Sequence, residues 1–330
     1  MTADAFRVLE ILTGYQGAAM VAAAARLGIF DALGDAPRSP AEVATELGVA
    51  PRPLAALLAA LAELDIVSSS ESGFRATETS RRLGSSGDLG LVVRKEAFFA
   101  TVWNDLDRVV RAGAPLLDPW RERVAHDPST AREFLAALVT LARVAGPDLT
   151  ALPQLATPAR VLDIGGGLGS YAVPLAAAGH LVTLVELPGV ADWARQELED
   201  TTVTVVAADA VAPDEFGANP HDSVALVDLI GADVVLLSHI IHDLADEDAS
   251  ALVATAARLL RPGGTVVVLE YPGDESGFFG PTFDLMMQLE TAGRARTASE
   301  IRALLANRGF GGFERTTTTG PTMLLTAVRP

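Results

Sequence analysis

The stretch Arg160-Val-Leu-Asp-Ile-Gly-Gly-Gly-Leu-Gly-Ser170 constrains this chain more than any other. Val161, Leu162 and Ile164 form the short apolar run of a buried parallel strand, and glycines at 165, 166, 167 and 169 break it. A helix is expected to follow from Ser170 to Ala178. Strand, glycine turn and helix in that order bring bare backbone close to a bound nucleotide, because no side chain blocks the approach. The glycines alone do not choose among nucleotides.

Asp163 narrows the choice. It stands two residues before Gly165, where the strand ends. A dinucleotide would bring a pyrophosphate to this turn, and a carboxylate there repels it. S-adenosyl-L-methionine (SAM) has no phosphate and carries an ammonium and a sulfonium, both attracted to a carboxylate. The bland alternative is that Asp163 caps the loop backbone. Glu186 follows the next apolar run, Leu181 to Val185, at the spacing where an acid accepts both ribose hydroxyls; otherwise it is a solvated strand end. Asp209 follows a third run, Val203 to Ala208, within reach of an adenine amine. Acids at three successive strand ends, with Gly165 and Gly167 between them, suit a cationic adenosine. The expected cofactor is SAM.

Composition removes several function classes. A net charge of −17 repels polyanions, so nucleic acid is not an expected partner. Without cysteine there is no disulfide, thiolate metal site or cysteine nucleophile. The acidic, polar N-terminus lacks the basic-then-apolar order of a signal peptide. No apolar run is judged to approach the ~20 residues of a membrane span, so a cytoplasmic protein without a membrane partner is expected.

Two domains are expected, 1–92 and 93–330. In the first, residues 6–34 read as helix, and Ser39-Pro-Ala-Glu42 as a capped helix start. Ala41–Leu47, Gly48-Val-Ala and Pro51–Leu64 make a helix–turn–helix, with a two-stranded wing from Ile66-Val-Ser-Ser and Gly73-Phe-Arg-Ala-Thr. A DNA-binding regulator is the tempting reading. The second helix carries one arginine and is apolar on nearly every face, so it packs on protein instead. Such a domain pairs with its copy in a homodimer. In the second domain, 93–157 forms a helical connector containing Trp103 and Trp120, either core or one wall of an aromatic pocket. The Rossmann-like core, 158–330, alternates strands (159–164, 181–186, 203–208, 233–238, 264–270) with helices in a doubly wound α/β sheet. A surface excursion is expected over 211–230. Gly312–Thr318 and Thr322–Val328, joined at Gly320-Pro321, read as a terminal antiparallel hairpin.

The run Asp233 to Asp248 ends the fourth strand, where ligands of open α/β sheets sit. Ser238 is counted with the cofactor residues; His239 and His242 fall near them. Methyl transfer from a sulfonium to a hydroxyl needs a nucleophilic oxygen, and a phenol of pKa ~10 is helped by a histidine that removes its proton. Glu270 ends the fifth strand, where its carboxylate can fix that histidine's tautomer. Asp246, Glu247 and Asp248 open the next helix and suit its dipole; a divalent metal there is the alternative, and no metal is expected. Phe278, Phe279, Phe283, Met286 and Met287 follow as core, or as the wall of a pocket for a planar, apolar small molecule.

Together these features resemble the dimeric SAM-dependent O-methyltransferases of plant and bacterial secondary metabolism, with a winged-helix dimerisation domain. The likeness runs through Val161–Gly169, Glu186-Leu-Pro, Leu236-Leu-Ser-His-Ile-Ile-His-Asp243, Arg261-Pro-Gly-Gly264, Thr297–Leu305 and Gly309-Phe310. It implies that His242 is the general base and Glu270 one of two carboxylates flanking it. Substrate contacts are expected from Trp103, His239, Phe279, Phe283 and Met287. Two positions depart: Leu244 replaces the tryptophan after the His-Asp pair, and Ala295 stands where the second glutamate belongs. Glu290 and Asp284 are candidate substitutes. Ala295 also leaves open a non-methylating use of SAM, in hydroxylation, decarboxylation or a pericyclic step.

Overall fold

The apolar run Val234–Leu237 lies at the centre of a seven-stranded sheet, and this explains why it lacks polar alternation. Val235 and Leu237 pack into one hydrophobic core and Val234 and Leu236 into another, so both strand faces are covered. The structure is a computed structural model that describes residues 3–212, 226–274, 279–318 and 320–330. The chain divides into two compact units, Met1–Thr101 and Val102–Pro330.

In the first unit the expected helix over 6–34 is three helices, Ala3–Thr13, Tyr15–Arg26 and Ile29–Ala32. Gly28 breaks the last two apart with φ +72°. Asp4–Arg26 spans 23 residues and is long and apolar enough to cross a bilayer, by length and composition, which corrects the sequence expectation. The reason is that Ile11 to Ala25 carries no charge. That property coincides with an exposed stripe of Phe6, Leu9, Ile11, Leu12 and Tyr15. Pro40–Leu47 begins on a capping box between Ser39 and Glu42, and Gly48 turns the chain in the left-handed region. The apolar helix Pro51–Glu63 buries Leu54, Leu58 and Leu61 within its own unit. β1 (Val67–Ser70) and β2 (Gly73–Ala76) form the antiparallel wing.

The second unit holds β3 (Arg160–Ile164), β4 (Leu181–Glu186), β5 (Thr204–Ala207), β6 (Ala232–Ser238), β7 (Leu260–Glu270), β8 (Gly311–Thr317) and β9 (Met323–Val328). Their order is β5-β4-β3-β6-β7-β9-β8, with β3 to β7 parallel and the β8–β9 hairpin antiparallel on the edge. Strand order reverses between β3 and β6, so a crevice opens at their carboxyl ends. The helix expected from Ser170 covers only Ala172–Ala177, because the turn stays open through Gly169, at φ +87°. Most of the excursion expected over 211–230, and Phe278, lie outside the described residues.

Candidate active site

At the end of β3, Gly165 and Gly167 take φ +72° and +62°, where L side chains are strained. A Cβ at Gly165 would collide with Ile240, and one at Gly166 with the Asp163 carboxylate. Asp163 is therefore folded beneath the turn, fully buried, and neither of its oxygens has a hydrogen-bond partner among the described residues. Burial, and then the nearby Glu186 charge, push its carboxyl up to about 7, opposed by the Ala172 amide, which lies near the carboxylate but outside hydrogen-bonding geometry. Glu186, at the end of β4, accepts the Gly167 and Leu187 N–H groups, each at 2.8 Å. Burial raises its carboxyl despite those two donors. It thus ties two successive strand ends together, and each oxygen still has a free lone pair. Asp209, beyond β5, accepts the Val211 N–H at 3.1 Å and pairs with Arg121, a partner that the sequence did not indicate. Ser238 is the buried last residue of β6.

The β6–β7 register sets Ser238 beside Leu269, so Glu270 ends its strand level with His239. At His239 the backbone turns to φ +54°, held by its N–H donating to the Leu269 carbonyl at 2.8 Å. A single 3₁₀ turn, Ile241–Asp243, then carries His242 back over Glu270. Glu270 Oε2 lies 2.5 Å from His242 Nδ1, while Oε1 accepts the N–H groups of Ile241 at 2.8 Å and His242 at 3.3 Å. Burial alone would depress the imidazole, but Glu270 and then Asp243 overcome it and raise His242 to about 9. Burial would likewise raise Glu270, yet the His242 charge and hydrogen bond bring it below its ordinary value. The geometry is that of a charge-assisted pair. With the proton on Nδ1 shared with Glu270, the neutral imidazole keeps its lone pair on Nε2, 3.7 Å from Asp243 Oδ1.

Two contacts that sequence reasoning missed fasten this turn. Arg296, 3% exposed, donates to the carbonyls of Ile241 at 2.6 Å and Leu244 at 2.9 Å, and to Asp246 at 2.6 Å. Gly293 packs so closely that a Cβ would meet the His242 carbonyl. The only sequence signal was an arginine just before a helix cap. Arg296 and Arg294 also engage Asp246, the first acid of the trio considered for a metal.

An apolar wall borders the imidazole. Phe283 stands edge-on to His242 at 5.0 Å, and Tyr271, also unforeseen, stacks on His239 at 4.7 Å. Tyr271 touches Phe279 and Phe283 at 4.8 and 4.7 Å. Met287 and Ala295 are buried in the same cluster as Phe283. Trp103 is half-buried at the end of the helix Gly90–Trp103, and no ring contact among the described residues joins it to this wall. Neither candidate substitute for the missing glutamate hydrogen-bonds His242 among the described residues. Asp284 accepts the Ala295 N–H at 3.0 Å, and Glu290 binds Arg123 at 3.0 Å. Arg123 also donates to the Glu290 carbonyl at 2.9 Å and lies over the Trp120 ring.

Comparison with known proteins points the same way. Residues 112–311 match an O-methyltransferase domain and residues 9–86 an O-methyltransferase dimerisation domain. The chain is 28% identical to the 3-hydroxy-5-methyl-1-naphthoate 3-O-methyltransferase of Streptomyces sahachiroi, covering 91% of this chain and 88% of that protein. It is 36% identical to aclacinomycin 10-hydroxylase RdmB of Streptomyces purpurascens over 47% of this chain and 41% of that one. Human N-acetylserotonin methyltransferase, solved in complex with SAM, superposes with a TM-score of 0.81 at 24% identity, covering 100% of this chain and 99% of that one.

Proposed function

The chain belongs to the O-methyltransferase family, and from that premise we propose that it methylates a hydroxyl of an aromatic or polyketide-like metabolite, with His242 as general base. Its cofactor is S-adenosyl-L-methionine. The cradle suits that molecule: a glycine turn without room for Cβ atoms lies over a buried, unpartnered carboxylate, Asp163, which favours a cation. When bound, SAM supplies an electrophilic methyl group. Asp163, Gly165, Gly167, Glu186, Asp209 and Ser238 are the residues that hold it.

The observation that carries the mechanism is the 2.5 Å contact between His242 Nδ1 and Glu270. Glu270 fixes the ring so that Nε2 receives the hydroxyl proton, and it stabilises the imidazolium that results. Arg296 holds the turn that presents the ring. Phe279, Phe283 and Met287, with Tyr271, provide an apolar face for a planar acceptor, and Trp103 is a further substrate contact. A second copy of the chain docks through the first unit, whose exposed stripe at Phe6–Tyr15 supplies apolar area for a homodimer.

Incubation with SAM and a phenolic acceptor should yield a product heavier by one methylene, with S-adenosylhomocysteine released in equal amount. His242→Ala should stop both. Undiminished methylation by that variant removes His242 as the base. The partial likeness to a hydroxylase, together with Ala295 in place of a carboxylate, favours a second reading in which SAM is bound but not consumed. Turnover without S-adenosylhomocysteine would establish it.

A further inference from the structure

We infer that His239 reads a second oxygen of the acceptor, on the carbon next to the hydroxyl that is methylated or peri to it. The substrate class is then an arene carrying two neighbouring oxygens. The inference deepens the reading of His242 as base and rests on it.

His239 is built unlike a packing residue. Its backbone is held in the left-handed region at φ +54°, which only one other non-glycine among the described residues shares. Its ring is fixed against Tyr271 at 4.7 Å. Among the described residues its Nδ1 is enclosed and has no hydrogen-bond partner. Burial keeps the ring neutral by lowering its pKa to about 4. A neutral imidazole offers one donor and one acceptor, so its open edge suits either a hydroxyl or a carbonyl oxygen.

The placement sets what that oxygen belongs to. The His239 and His242 rings lie 6.1 Å apart. A nitrogen of each, with a Glu270 oxygen, fall within 4.8 Å of one another. Two oxygens on adjoining carbons, themselves about a hydrogen-bond length apart, can be met by two imidazole rings set at that separation. The other groups lining this corner are the apolar wall of Phe283, Tyr271 and Met287 and the Asp243 carboxylate, whose Oδ1 lies 3.7 Å from His242 Nε2. A metal ion is the rival occupant. However, Glu270 already gives Oε2 to His242 and Oε1 to two backbone N–H groups, so its oxygens are engaged.

The test uses 1,2-dihydroxynaphthalene and 2-naphthol, with affinity measured by calorimetry on the full chain saturated with S-adenosylhomocysteine. The wild-type protein should bind the diol ~10–100-fold tighter, since 2-naphthol leaves a buried imidazole nitrogen without a hydrogen-bond partner. His239→Phe keeps a flat ring on Tyr271 without nitrogens and should bring the two affinities within ~threefold by weakening the diol alone. His239→Asn, which tolerates this backbone and can hydrogen-bond, should restore part of the preference. If the Phe variant does not fold, His239→Gly suits the same backbone and decides. A wild-type protein that binds neither probe or prefers neither, or a variant that keeps the full preference, overturns the proposal. Affinities that track residue 239 while methylation survives His242→Ala would sink the base reading alone.

Discussion

Two buried carboxylates on strands that flank β6, Asp163 on β3 and Glu270 on β7, are held in opposite ways. Glu270 has a histidine at 2.5 Å and two backbone donors, and its pKa falls below the ordinary value. Asp163 has no partner among the described residues and is driven up to about 7. Leaving a buried acceptor unmade costs ~1–3 kcal/mol, more for a charge. That cost is retained where a ligand is to come from outside and removed where the partner belongs to the chain. Under the proposed function, the contrast is that between a carboxylate that binds the cofactor and one that orients the base.

The sharpest way to break this contrast is to remove the imidazole. His242→Ala should lower turnover by ~10²–10⁴-fold while SAM affinity, measured by calorimetry, stays within ~threefold of wild type. Asp163→Asn should do the reverse, weakening SAM by ~10–100-fold through loss of a charge-assisted contact. Because a bound cation favours the ionised form, wild-type SAM affinity should rise with pH and level off above about 7. The Asn variant should show no such rise.

Glu270→Gln should act on the pH profile. Only the neutral imidazole accepts a proton, so wild-type kcat/KM should climb with pH and level off above about 9. Without the Glu270 charge, burial dominates His242, so the midpoint should move to lower pH, and the plateau should fall ~10-fold as ring orientation is lost. An unmoved midpoint would mean that the carboxylate does not set the base. Arg121→Ala should have the smallest effect, a change in SAM affinity of ~threefold or less that fades with added salt, because Arg121 is 57% exposed.

The residues proposed to hold the cofactor were found from local sequence patterns alone. Strand, glycine turn and strand-end acid are local patterns, so Val161–Gly169, Glu186 and Asp209 were legible from spacing. The reaction half was legible only as a pair, His242 and Glu270, placed near each other by the rule that ligands sit at the carboxyl ends of parallel strands. Tertiary structure decided what surrounds them. Tyr271 on His239, Arg296 across the His242 turn and Arg123 on Glu290 join residues separated by 32, 55 and 167 positions (271 − 239, 296 − 241 and 290 − 123). No periodicity in one segment encodes such contacts, because they depend on how separate loops pack over the sheet. The same reason governs Ala295: the sequence records a missing carboxylate, and only packing shows that an apolar wall fills its place.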